Sequence, residues 1–341
     1  MTKTKILSPT MTSFYFGKQL PAEKLLDHNN NNNDHSPVLL ECHRSRRHHQ
    51  TAAISFKYKS NANQDDINDL RRMLTNLRAE QLNEIDPDEH EFYDADYKRM
   101  MVDDWLVTRF LLRGKKAFER EATECGAADR YRILQLVDDS TETSSGELYK
   151  QAILKHTIEL VKICAKFRFD YRINSRTRLD EFPLDWVKTE GLFSYKPDVV
   201  GNPTIYLRVA LHRPKLLETP EARHLFKRYM LYTLERCDQD LSNKPGKAIC
   251  CVFDMTNVAF ENIDLELTTW MIKSFKSSSP KLICYVIIYN PPWFFAATFK
   301  IICKTLLSNS KRQSVKFASG NQILDYIDCA NLPPYLQSTL Q

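Results

Sequence analysis

Few residues of this chain are arranged for covalent chemistry. The nine cysteines (Cys42, Cys125, Cys164, Cys237, Cys250, Cys251, Cys284, Cys303 and Cys329) are odd in number and form no C-x-x-C pair. That is the pattern of reduced cytosolic thiols rather than of a disulfide framework. Cys250 and Cys251 are adjacent within an apolar run and read as small hydrophobic residues. His43, His48 and His49 lie among arginines in a polar tract that offers no fixed ligand geometry for a metal. No G-x-S-x-G, Walker A or H-E-x-x-H pattern occurs. No catalytic or metal-binding residue is assigned, no cofactor is called for, and the chain is expected not to be an enzyme.

The remaining chemistry is charge set beside apolar surface. Leu282 to Leu307 is apolar enough to suggest a membrane span of about 20 residues. Asn290-Pro291-Pro292 interrupts it, Lys300 and Lys304 add charge, and the β-branched residues lie before the prolines. The spacing therefore predicts strand, turn and helix. In that helix Trp293, Phe294, Phe295, Phe299, Ile301, Ile302, Leu306 and Leu307 cover more than one face, whereas Lys300 and Lys304 share a face at i,i+4. Two readings stay open: a helix buried against a sheet with its lysines reaching water, or one that lines a lipid cavity and moves at a bilayer. A net charge of +5 suits an anionic membrane surface and does not by itself indicate nucleic acid.

The elements that must position these residues follow from periodicity. Residues 1–62, with the asparagine run Asn29 to Asn33 and the basic stretch around Arg44, read as a disordered tail without a secretory signal. A helix is predicted from near Asp65, with Ile67, Leu70, Met73, Leu74 and Leu77 inward. A second is predicted from Tyr97 to Arg113, stopped by Gly114. Asp138 to Gly146 reads as a loop and Glu147 to Phe167 as a helix. Beyond Gly201-Asn202-Pro203 the pattern becomes a strand over Thr204 to Leu211, then a helix capped by Thr219 and Pro220. Strands at Ala248 to Asp254, Leu282 to Tyr289 and Ser314 to Ala318, with a helix from Ile263 to Ser277, complete the series. The expected fold is α/β, a mostly parallel sheet with flanking helices, preceded by a small all-α domain. The boundaries are 1–62 for the tail, 63–140 for the helical domain and 141–338 for the sheet domain.

Several ordered motifs resemble the CRAL-TRIO family. Asn290-Pro291-Pro292-Trp293, Phe299-Lys300 and Asn331-Leu332-Pro333-Pro334 resemble the end of such a domain. Gly191-Leu192, Tyr195, Pro197-Asp198, Gly201-Asn202-Pro203 and Leu207-Arg208-Val209 resemble its first strand, and Phe253-Asp254-Met255-Thr256 its second. Asp103-Asp104, Arg109-Phe110-Leu111 and Lys115 resemble the helical domain that precedes it. The CRAL-TRIO portions of motile sperm domain-containing proteins look closest.

The resemblance implies a fold that encloses one lipid beneath a mobile lid helix, Trp293 to Leu307, and a carrier or sensor of that lipid. The implied lipid-binding residues are Ile205, Leu207, Val209, Val252, Ile287, Trp293, Phe295, Phe299, Lys300 and Lys304. Lys300 matches a lysine that meets a headgroup phosphate in phosphatidylinositol-carrying members, while Trp270 stands at the apparent position of their partner glutamate. The implied partners are a phospholipid or other hydrophobic small molecule, a transient membrane surface and a protein at organelle membranes, without nucleic acid. The implied location is cytoplasmic and peripheral on membranes, the endoplasmic reticulum among them. The alternative is a module with a side-chain-filled pocket that binds protein partners instead.

Overall fold

The computed structural model describes residues 62–124, 143–242, 244–295 and 314–340. The predicted tail up to residue 61, residues 125–142 with the first part of the predicted Asp138 to Gly146 loop, and most of the predicted lid lie outside them. Four helices come first: α1 (Gln64–Leu82), α2 (His90–Val102), α3 (Asp104–Glu124) and α4 (Thr143–Asp170). Leu70, Leu74, Tyr97, Val107 and Val161 form the centre of their shared apolar cluster. The cluster draws on both sides of the 140/141 boundary, because Leu154, Ile158 and Val161 of α4 pack with α1 to α3. Met73, predicted inward, is half-exposed at 38%.

Two predictions about these helices are corrected. The helix expected from Tyr97 to Arg113 is two helices that meet at Asp103, whose extended backbone ends α2 and whose carboxylate accepts from the Leu106 amide at 2.9 Å. Asp103 thus caps α3, as a short acceptor side chain does where amides lack partners. Gly114 does not stop that helix but sits inside it. A Cβ there would lie 2.0 Å from Thr157 Oγ1, so the glycine is required by the close approach of α4.

The second half contains α5 (Leu184–Lys188), β1 (Leu192–Tyr195), β2 (Thr204–Arg208), α6 (Pro220–Asp240), β3 (Ile249–Asp254), α7 (Leu265–Ser278), β4 (Ile283–Tyr289), β5 (Val315–Ala318) and the short α8 (Pro334–Gln337). The five strands form one sheet in the order β1-β2-β3-β4-β5. The β2, β3, β4 and β5 pairings are parallel, and β1 pairs antiparallel with β2, Leu192 opposite Leu207. The α/β, mostly parallel architecture is as the sequence implied, with β1 as an added antiparallel edge.

The strand expected to reach Leu211 ends at Arg208, and Val209–Leu211 forms a 3-10 turn. The N-cap of α6 is as predicted, the Ala222 amide donating to Thr219 Oγ1 at 3.2 Å. One sheet face packs against α5, α6 and α7 around Trp186, Phe226, Tyr229, Met230 and Met271. The other carries Tyr206, Cys250, Val252, Tyr285, Ile287 and Tyr289 against Ile323, Ile327, Leu332 and Leu336 of the C-terminal segment.

Several motifs that carried the resemblance are structural sockets. Asp198 accepts from the amides of Val200 and Asn202 and from the hydroxyl of Tyr285 at 2.6 Å, while Gly201 takes the positive φ of 82° that closes this turn between β1 and β2. Asn331 donates to Pro197 O at 3.0 Å, tying the C-terminal motif to the same turn. Asn290, at φ 48°, donates to Thr256 Oγ1 and accepts from the Gly320 amide, so the carboxyl ends of β3, β4 and β5 meet at one side chain.

Candidate functional site

Between the α7 side of the sheet and α7 itself lies an apolar cavity of about 380 Å³. Its floor is built from Leu207, Phe253, Val286 and Ile288, the residues of β2, β3 and β4 that alternation directs to this face. Its wall is the face of α7 bearing Leu267, Thr268, Met271, Ile272 and Phe275, spaced at three and four residues. Asp264 caps that helix, accepting from the Leu267 amide at 2.8 Å, and so fixes where the stripe begins. The volume falls in the range of small-molecule sites, about 300–1,000 Å³.

The lining is polar at its two ends. Near the start of α7, His212, Asn262, Asp264 and Thr268 reach the cavity. Asp264 accepts from Arg223 at 3.0 Å and lies 3.4 Å from His212 Nε2. Burial alone would raise its pKa, but His212, the Leu267 amide and Arg223 outweigh burial and hold the carboxyl at about 2. Asn262 donates to the carbonyls of Ala210 and His212. This end is a satisfied hydrogen-bond network.

The other end is cationic. Arg113 and Lys116 of α3 and Lys281, just before β4, line the cavity there. Burial, then the charges of Lys116 and Arg113, draws the Lys281 ammonium below its ordinary value, and Glu119 offsets only part of this. Burial and Arg120 likewise lower the Arg113 guanidinium. Each change favours bringing a negative charge to this end. The helical unit thus contributes directly to the wall of the cavity.

Of the residues implied to bind lipid, Leu207, Val209 and Phe295 line the cavity. Ile205 faces the same side and borders a small void with Leu207, Phe253 and Met271. Val252 and Ile287 are placed otherwise: both are fully buried among the residues of the opposite sheet face. The physical reason is the alternation of the strands, which sends Cys251 and Phe253, Val286 and Ile288 to the α7 side and their neighbours away from it. Trp293 is 88% exposed and does not line the cavity. Phe299, Lys300 and Lys304 lie outside the described residues. Trp270 donates its indole N–H to Tyr171 OH at 2.9 Å and is absent from the cavity wall.

Sequence reasoning missed Arg113, Lys116 and Lys281. The i,i+3 pair on α3 was a visible signal, but nothing local to it identifies the partner surface. Cys164, Cys237, Cys250, Cys251 and Cys284 are buried free thiols, and burial pushes those of Cys164, Cys237 and Cys284 up to about 12, which makes them poor nucleophiles. Among the described residues no group of three or more His, Cys, Asp or Glu side chains could hold a metal, and no helix is long and apolar enough to cross a membrane.

Residues 188–337 match the CRAL/TRIO domain family. A CRAL-TRIO domain-containing protein of Schizosaccharomyces pombe is 28% identical over 141 residues, covering 41% of this chain and 30% of that protein. Patellin-6 of Arabidopsis thaliana is 22% identical over 174 residues, covering 48% of this chain and 42% of its own length. The crystal structure of Sfh5 aligns with a TM-score of 0.39 at 13% identity, over 47% of this chain and 59% of that one. The chain therefore matches less than half the length of either curated relative.

Proposed function

With a CRAL/TRIO domain over residues 188–337 as the premise, we propose that this protein is a carrier or sensor that encloses one hydrophobic lipid in the cavity between its sheet and α7. The observation that carries this reading is an apolar cavity of about 380 Å³ with cations at one end. A lipid tail laid on Leu207, Phe253, Met271 and Phe275 leaves water at about 0.8 kcal/mol per buried methylene. A phosphate-bearing headgroup at Arg113, Lys116 and Lys281 gains charge-assisted hydrogen bonds. The cavity requires no reacting group for this work, and we assign none.

Exchange with a bilayer needs an opening, and the apolar sequence from Trp293 to Leu307 supports a lid there, with Lys300 and Lys304 beside anionic headgroups. Trp293, which opens that segment, is 88% exposed, and Phe260, 79% exposed, has its ring 5.4 Å from that of Phe294, where aromatic side chains suit a membrane interface. On this reading the protein works in the cytoplasm, peripheral on organelle membranes such as the endoplasmic reticulum. Kinship with motile sperm domain-containing proteins is part of the proposal and rests on motif order alone. The open volume weighs against the alternative of an interaction module with a filled pocket.

The test is native mass spectrometry of the full chain purified from eukaryotic cells without detergent. One equivalent of a lipid, identified after denaturation, is the expected result. A folded protein that stays empty both as purified and after incubation with vesicles of mixed phospholipids would overturn the proposal.

A further inference from the structure

The helical unit and the sheet unit meet through charges removed from water. Glu235 and Asp238, one turn apart on α6, are each about 1% exposed at the side chain. Three arginines from three different helices converge on them. Arg99 of α2 lies 3.4 Å from Glu235 and 3.3 Å from Asp238, and donates to Asp238 O at 2.7 Å. Arg168 of α4 donates to both Asp96 oxygens at 2.8 Å and to Glu235 at 2.7 Å. Arg109 of α3 donates to Asp238 Oδ1. Burial would by itself raise the Asp238 pKa, but Arg109, Arg99 and Arg168 hold it below its ordinary value.

Two lines lead from Asp238 to the cationic end of the cavity. Arg109 precedes Arg113 by four residues and Lys116 by seven, so all three share one face of α3. The other line starts at Ser279, whose hydroxyl donates to Asp238 Oδ2 at 3.2 Å, while Ser278 O accepts from Arg168 at 3.5 Å. This turn leads through Pro280 to Lys281, a non-glycine residue at φ 50°. Such a conformation persists only where its surroundings hold it.

We infer that Asp238 is a positioning residue for the lipid headgroup, holding Arg113 and Lys116 through Arg109, and the Lys281 turn through Ser279. The inference rests on the reading of the cavity as a lipid site with its headgroup at the cationic end. It assigns to the junction between the two units a part in ligand selection as well as in folding.

The test uses the full chain and two probes with the same pyrene-labelled acyl chains, phosphatidic acid and diacylglycerol. The readout is the ratio of their dissociation constants, which cancels any general loss of folded protein. Wild type is expected to prefer the phosphatidic acid, and Lys116→Gln to reduce that preference. Ser279→Ala removes one hydrogen bond to a carboxylate and is expected to reduce the preference about three- to tenfold, with diacylglycerol affinity held within about twofold. Asp238→Asn is expected to reduce it further.

If wild type shows no preference, or Lys116→Gln leaves it intact, the headgroup reading fails and the inference falls with it. If Lys116→Gln lowers the preference but Ser279→Ala and Asp238→Asn lower only the melting temperature, Asp238 is merely structural and the inference alone is overturned. Should Asp238→Asn not fold, Ser279→Ala decides.

Discussion

Gly114→Ala is the substitution whose outcome the packing of α3 against α4 constrains most closely. The added Cβ would lie 2.0 Å from Thr157 Oγ1, 3.0 Å from Thr157 Cβ and 3.1 Å from Ile153 O. Thr157 is fully buried and its hydroxyl donates to Ile153 O at 2.7 Å, so rotating it away breaks a satisfied bond. The third contact is backbone and can move only with the helix. Alanine gains about 0.8–1 kcal/mol over glycine in a helix interior, whereas overpacking a filled interface costs about 1–3 kcal/mol. With one contact far inside van der Waals distance, the upper part of that range applies, and the net loss is about 1–2 kcal/mol. Urea unfolding should show it as a lower midpoint at unchanged slope. The double variant Gly114→Ala/Thr157→Ala removes the closest obstacle and should recover most of the loss. A single variant as stable as wild type, or more so, would refute the argument that close helix approach selects this glycine.

Three other perturbations have defined outcomes. Val286→Trp projects an indole into the cavity and should abolish copurifying lipid while costing less than the 1–3 kcal/mol typical of overpacking; retained stoichiometric lipid would contradict the placement of the ligand. Asp264, held at about 2 against an ordinary value of 3.8, contributes stability that is complete above its unfolded pKa and lost as the pH falls from about 4 towards 2. Asp264→Asn should flatten that acid limb by about 2 kcal/mol in unfolding free energy measured from pH 5 to 2, and an unchanged slope counts against the assignment. Arg168→Met strands the buried carboxylates of Asp96 and Glu235 and should cost about 3–5 kcal/mol by chemical denaturation, a loss below 1 kcal/mol being inconsistent with the network.

The α/β order was legible because its signals are local. Thr219-Pro220 marks a helix start and Asn290-Pro291-Pro292 a chain break whatever surrounds them. Which residues of β3 and β4 face the cavity was not legible. Both strands are covered on both faces, so Ile249 to Asp254 and Ile283 to Tyr289 are nearly continuous apolar runs without the polar alternation that reveals a face. Nothing in these runs tells Val252 and Ile287, which pack on the opposite face, from Cys251, Phe253, Val286 and Ile288. Strand β1 is four residues long and owes its existence to pairing with β2, a non-local condition. The cationic end escaped notice for the same reason, since Arg113 and Lys281 are 168 positions apart and only the docking of the two units joins them. Gly114 has two sequence meanings, helix stop and close helix contact, and the distinguishing residue, Thr157, is far along the chain.

The buried charges between the units have a consequence for how the molecule comes apart. Peeling α2, α3 and α4 from the sheet would separate Arg99, Arg109 and Arg168 from Glu235 and Asp238, and would also break the bond from Trp105 Nε1 to Lys247 O. No partial opening along this seam leaves the acids paired, so the described helices and the sheet should melt as a single cooperative unit. Amide hydrogen exchange would then give the centre of α3 and the centre of β3 the same opening free energy.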